Sequence, residues 1–193
     1  MLNHVGTKPL ETNRLILRRH EITDADDIYD NWATDPGVCR FWSWEPHKSI
    51  DETRALLAGW IDEYKKPNNY HWIIVLKSMS KAVGYIYLSD IDDVSNSVSV
   101  HYALSRACWN QGIMTEACGC ILAFAFDVLG TETVHSNHHI ENPASGRTMQ
   151  KCGMRYVKIA REGLSQKHIS SGEYLSGDRC YYEIKSSDWK QQN

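Results

Sequence analysis

The chain has 193 residues, 42% of them hydrophobic and 23% charged, with a formal net charge of -3. These values suit a single globular domain with its own core, and they exclude a disordered chain or a general nucleic-acid binder. No stretch approaches the roughly 18 apolar residues that a membrane-spanning helix needs. The charge is uneven: residues 20–104 carry seven basic and fourteen acidic side chains, whereas residues 1–19 sum to +3 and residues 105–193 to +1. That first half also holds five of the seven Trp, from Trp32 to Trp72. An acidic field of this kind steers cationic partners, although a solvated face without a ligand is the commoner explanation.

Met1 to Thr12 is polar, with no apolar leader, which predicts a reducing, cytoplasmic setting for the six cysteines. They read as small buried hydrophobes rather than disulfides. Asn13 to Arg19 alternates Leu15 and Leu17 with polar neighbours, as a strand does. Thr23 then reads as the cap of a helix that begins with acids and stops before Asp35-Pro36-Gly37. A second helix, Ile50 to Tyr64, opens behind Ser49 with Glu52 at capping-box spacing. Strands Tyr70 to Lys77, Ala82 to Ser89 and Ser97 to Leu104 follow with short turns, an antiparallel meander. Gly112 to Leu129 is apolar on nearly every face and must be a buried helix. Glu132 to Ile140 is the next strand. Asn142 opens a short helix that closes at Gly153, and Arg155 to Ala160 pairs with Asp178 to Lys185 across a long connection rich in Gly and Ser, residues 161–177. Helices interrupting a mostly antiparallel sheet define an α+β fold.

The segment Ser105 to Ala117 carries the sharpest chemical signal. A strand ends at Leu104, the turn Trp109-Asn110-Gln111-Gly112 follows, and a long helix starts at once. The first turn of a helix has unpaired N–H groups and a positive dipole end, so Gln111, Gly112, Ile113, Met114 and Thr115 can hold a phosphate. The sequence contains no Walker loop and no Gly-x-Gly-x-x-Gly fingerprint. The histidines of Val134 to Ile140 form the densest titratable cluster; on a strand His135 and His139 share one face and His138 takes the other. No carboxylate or Cys is spaced to complete a metal site with them.

Trp109-x-x-Gly112-x-x-Thr115-Glu116-Ala117, followed by Asn142-x-x-Ser145 to Gly153, resembles the GNAT superfamily of N-acetyltransferases, and within it the ribosomal-protein-alanine N-acetyltransferase branch. Thr12 to Arg18, Val83 to Ile86, Asp178 to Tyr182 and Asp188-Trp189 extend the likeness over about residues 10–190. The resemblance implies a single domain with a mixed, mostly antiparallel sheet flanked by helices and splayed between the fourth and fifth strands, acetyl-CoA as co-substrate, no metal, and an amine acceptor. It places pantetheine along the backbone of Tyr102, Ala103 and Leu104, the pyrophosphate on Trp109 to Thr115, Asn142 on the pantetheine chain, and Ser145 as proton donor to the leaving thiolate. Asn142 and Ser145 also read simply as helix-start residues, and Glu116 as a first-turn carboxylate. Trp42 and Trp44, with Trp60, read either as an acceptor groove or as core. A homodimer is compatible with the resemblance, whereas membrane or nucleic-acid partners are not part of it.

The sequence departs from the family at Trp109 and Met114, at Met149, where a Tyr acid is common, and at Ser99, where many relatives carry a glutamate base. His138 or His101 then becomes the candidate base. A lysine amine must give up about 4 kcal/mol to be neutral near pH 7.4, an α-amine under about 1. The missing carboxylate therefore favours an α-amino acceptor, with a small polyamine-like or aminoglycoside-like amine as one alternative and a non-catalytic CoA-binding sensor as another.

Overall fold

The computed structural model of the protein describes residues 1–42, 44–161, 166–167, 174–175 and 177–192. One sheet dominates, built from β1 (Leu10–Glu11), β2 (Leu15–Arg18), β3 (Tyr70–Leu76), β4 (Lys81–Asp92), β5 (Ser97–Leu104), β6 (Thr133–His139), β7 (Arg155–Ala160) and β10 (Arg179–Lys185) in the order β1-β2-β3-β4-β5-β6-β10-β7. Every neighbouring pair is antiparallel except β5 and β6. Those two run parallel and pair only from Ser97 to Ser99 against Thr133 to His135. The Ser136 hydroxyl then donates to the Val100 carbonyl at 2.8 Å, and beyond it the strands part. This is the splay expected between the fourth and fifth strands; the two-residue β1, missed in the sequence, raises the count by one. Gln166–Lys167 and Tyr174–Leu175 form a separate antiparallel pair, β8 and β9, and residues 162–165, 168–173 and 176 of the long connection lie outside the described residues.

The sheet is covered on both faces, and β3 shows why: its side chains alternate, so Trp72 and Ile74 join one core while Ile73 and Val75 join another. The larger core lies under α4 (Ile113–Ala123), whose Ile121 and Leu122 are wholly buried, worth about 1.5–3 kcal/mol each. The smaller one packs α1 (Ala25–Ile28) and α3 (Ile50–Glu63) against Ile73 and Tyr85. Ser49 caps α3 by accepting from the Glu52 N–H, but Glu52 reaches back to the Lys48 N–H, one residue before the position a capping box expects. A short α5 (Pro143–Lys151) and a C-terminal α6 (Ser186–Gln192) complete the layers; α6 has no counterpart in the sequence reading.

The first predicted helix is corrected. Thr23 does not cap it: the chain makes a 3-10 turn at Ile22–Asp24, then α1, then a π turn at Tyr29–Ala33. Asp24 is drawn inward, taking the Glu21 N–H at 2.7 Å and both Arg18 guanidinium nitrogens at 2.9 and 2.7 Å. Asp35 then starts a further short helix, α2 (Pro36–Cys39), by accepting from the Gly37 N–H. The long buried helix also changes register, since α4 passes into a π turn at Phe124–Leu129 before Gly130 ends it. No described helix is long and apolar enough to cross a membrane.

Candidate functional site

The site begins where β5 leaves the sheet. Asn110 and Gly112 both hold left-handed backbone, φ 59° and 73°, which folds the turn tightly enough to start α4 immediately. The Glu116 N–H bonds the Gly112 carbonyl, so the N–H groups of Ile113, Met114 and Thr115 are those the helix start leaves without an intrahelical acceptor. The Trp109 indole N–H closes the turn on the Leu104 carbonyl at 2.9 Å, and the Arg106 guanidinium stacks on that ring. Gln111 turns away, its side chain donating to Ala107, while its carbonyl is held by Arg14.

Glu116 fastens this helix start to β2. It accepts from the Thr12 hydroxyl at 2.6 Å, the Arg14 N–H at 2.9 Å and the Arg14 Nε at 2.6 Å. Burial works against the charge, but these donors prevail and hold the carboxyl below its usual range. Its first-turn role is thus structural. A Glu116→Ala protein is expected to lose about 2 kcal/mol and about 4–8 °C in Tm. Because the folded pKa is depressed, that contribution is full above the ordinary carboxylate range and lost as pH falls through the lowered value. Melting curves of the two proteins should therefore converge in acid.

Across the gap, α5 supplies the second wall. Asn142 caps it, its side-chain oxygen accepting from the Ser145 N–H at 3.3 Å. Ser145 meets Tyr102 of β5: the phenol lies 3.0 Å from the Ser145 hydroxyl and donates to the Ser145 carbonyl at 3.1 Å. Burial raises the Tyr102 pKa, so the phenol keeps its proton at any physiological pH. Between the walls is a cavity of about 380 Å³, within the usual range for a small-molecule site.

Its lining brings most of the candidate residues together: Tyr102, Ala103 and Leu104 from β5, Trp109, Asn110 and Gly112 to Thr115 from the turn and α4, and Asn142 and Ser145 from α5. Gln111 and Trp44 do not line it. Neither does His138, which faces α5 instead: its Nδ1 is 2.7 Å from the His139 carbonyl, and a Cβ added at Gly146 would lie 2.5 Å from its Nε2. Burial lowers its pKa. Arg147, Thr148 and Lys151 also line the cavity and were not singled out; the four-residue spacing of the two cations, which puts them on one helical face, was the available signal.

A roof spans the gap. The Asp35 carboxylate pairs with Arg106 just after β5, while Phe41 packs on His139 at the end of β6 and Arg40 pairs with Glu141 just beyond it. Trp42 hangs from this segment into the cavity and also packs on Tyr85. The other tryptophans divide plainly: Trp32 and Trp72 are core, while Trp44 and Trp60 pack against the smaller core, Trp60 with its ring on Tyr85. Among the described residues no group of His, Cys, Asp or Glu could hold a metal, and the cysteines are free thiols.

Residues 14–155 match the family model described as an acetyltransferase (GNAT) domain. An uncharacterized N-acetyltransferase, YoaA of Bacillus subtilis, is 24% identical over 81% of this chain and 88% of its own length. Among solved structures, a candidate ribosomal-protein-serine acetyltransferase from Vibrio cholerae superposes with a TM-score of 0.74 at 17% identity, covering 92% of this chain and 97% of that one. A spermidine N-acetyltransferase chimera of the Vibrio cholerae protein and hSSAT gives 0.72 at 17% identity, covering 92% and 99%.

Proposed function

Since the chain belongs to the GNAT acetyltransferase family, we propose that it transfers the acetyl group of acetyl-CoA to a primary amine, and that this amine is the α-amine of a protein or peptide N-terminus. The observation that carries the reading is the cavity itself, which joins a helix start, a parted parallel pair and a hydrogen-bonded Ser145-Tyr102 couple in one space.

The residues suit the donor. The N–H groups at the start of α4 and the Arg147 and Lys151 side chains favour the phosphates. Asn142 keeps its amide N–H groups for the pantetheine chain while its oxygen caps α5. Bound acetyl-CoA supplies a thioester carbonyl open to direct attack, so no covalent enzyme intermediate is needed. A backbone N–H of Tyr102 to Leu104 stabilises the oxyanion, and Ser145 protonates the departing sulfur. Trp42 closes the acceptor side.

The α-amine is preferred because Ser99 offers no carboxylate to strip a proton from a lysine-like amine. The acidic segment 20–104 gives the small cationic amine standing as a second reading. Thiol release should be measured with acetyl-CoA and a panel of peptides with free N-termini, N-blocked lysine peptides, spermidine and an aminoglycoside. Free α-amines are expected to react best, with rates rising through pH 7–8 as they deprotonate. Preference for spermidine or lysine would overturn the α-amine assignment. Binding of acetyl-CoA, seen as a raised Tm, without turnover of any amine would instead favour a CoA sensor.

A further inference from the structure

We propose that His101, backed by Asp90, is the base that takes the proton from the acceptor amine, filling the role that Ser99 cannot. The proposal rests on the acetyl-transfer reading and adds the residue that handles the amine's proton.

The placement follows from β5. Pairing with β6 ends at Ser99, and Val100 makes the last link through Ser136, so His101 is the first residue of β5 past the closed part of the sheet. Successive strand side chains point to opposite faces. Tyr102 goes toward α5, where it meets Ser145, and His101 therefore goes to the other face, the one that also carries Ser99, Ala103 and Tyr85. A single strand thus presents the Tyr102-Ser145 couple on one face and, on the other, an imidazole that does not itself line the cavity but lies two residues from Ala103, which does.

The surroundings of His101 suit a base. From β4, Tyr87 stacks on its ring at 5.2 Å between centroids, and the Asp90 carboxylate lies 3.9 Å from Nε2. Asp90 thus stands on the Nε2 side of the ring as a nearby charge, beyond direct hydrogen-bond distance. From β10 the positive Arg179 acts on the ring, itself donating to Asn137 of β6, and His135 pairs beside Ser99 on the same face. Burial pushes the His101 pKa below its ordinary value while Asp90 pulls it up, and Arg179 opposes Asp90. The imidazole is consequently neutral, with a free lone pair, at neutral pH. The side chain keeps 20% of its exposure, enough for contact with a ligand.

The step balances. The amine lone pair forms the C–N bond at the thioester carbonyl, and His101 takes one N–H proton. The C–S bond then breaks with its electrons on sulfur, Ser145 gives the thiolate its proton, and His101 returns the equivalent proton to solvent while Ser145 is reprotonated. The products are the amide and free CoA thiol.

The test uses the whole protein, acetyl-CoA and a peptide with a free N-terminal alanine, with kcat/KM for the peptide followed from pH 5 to 9. In the wild type the logarithm should rise with a slope approaching two at the acid end, one proton from the peptide and one from His101, and flatten to one above the His101 pKa. His101→Gln is expected to lower kcat/KM about 100-fold or more, to leave a slope of one up to the peptide amine's pKa of about 7.7–8.0, and to leave the Tm gain from acetyl-CoA unchanged. Asp90→Asn removes the group that raises the imidazole, so the lower break should move to more acidic pH; Asp90 has left-handed backbone, φ 47°, which Asn tolerates. Activity within about threefold of wild type, or a loss that keeps the slope of two, overturns the proposal. Should His101→Gln fail to fold, an unmoved break in Asp90→Asn overturns it equally. A wild type that binds acetyl-CoA yet acetylates no amine removes the acetyl-transfer reading itself and the base with it.

Discussion

Ser145→Ala is expected to lower kcat about 100-fold near pH 7 while changing the KM for acetyl-CoA little, measured by thiol release at saturating peptide. A positioned proton donor contributes roughly 10²–10⁴-fold, and the lower end applies because a simple thiol with pKa about 8.5 leaves passably as its anion. The pH dependence identifies the cause. Below about pH 8.5 the thiolate needs a proton and the variant lacks its source; above that pH the need fades, so the deficit should shrink. A deficit constant across pH would mean that the serine positions the donor rather than protonating sulfur. Tyr102→Phe removes the partner of the same hydroxyl but leaves the backbone of α5 and the Asn142 cap in place, so a loss within about tenfold is expected.

Gly84→Ala should cost the most stability of any single methyl addition described here. A Cβ at Gly84 would sit 2.4 Å from the Ala103 carbonyl oxygen and 3.1 Å from the Leu104 Cα. Both are backbone atoms of β5, pinned by the ladder to β4 at Gly84 and Leu104. Neither can swing aside as a flexible side chain can, so the strands must separate, at about 3 kcal/mol and about 6–12 °C in Tm. Ala103 and Leu104 also line the cavity, and a weaker response of Tm to acetyl-CoA should accompany the loss. Gly119→Ala is the matched control. It lies in α4 with nothing within 4 Å of its added Cβ, and the change there should raise stability by about 0.5–1 kcal/mol.

The contrast between those glycines shows where sequence reading succeeds. The meander, α3 and the buried α4 were legible because each repeats one local period over many residues, and capping residues such as Ser49 and Asn142 act within three positions of themselves. The start of the first helix was misread because the Arg18 guanidinium of β2 captures Asp24 and turns a first-turn acid into a buried anchor. The turn at Gly112 and the residues around it could be located from spacing alone, since a helix start is a local object. The Ser145-Tyr102 contact could not, because its partners are 43 residues apart and only the splay brings them together. The Trp excess stayed undecided in the sequence for the same reason. Burial assigns Trp32 and Trp72 to the core and leaves Trp42 to the cavity. His138, chosen from the density of its cluster, faces α5, where a Cβ at Gly146 would lie 2.5 Å from its Nε2, a contact invisible to spacing.

The seam between β5 and β6 has one more consequence. Three residue pairs and the Ser136 hydroxyl bind it at one end, and Tyr102 clasps Ser145 across the open end. The sheet is therefore two leaves sharing a short spine, with the start of α4 on one leaf and Ser145 on the other. A small rotation at the spine becomes a larger displacement at the clasp. The last link before the leaves part is one buried side chain, Ser136, so on the proposed acetyl-transfer reading it is this residue that sets how far a thioester can enter.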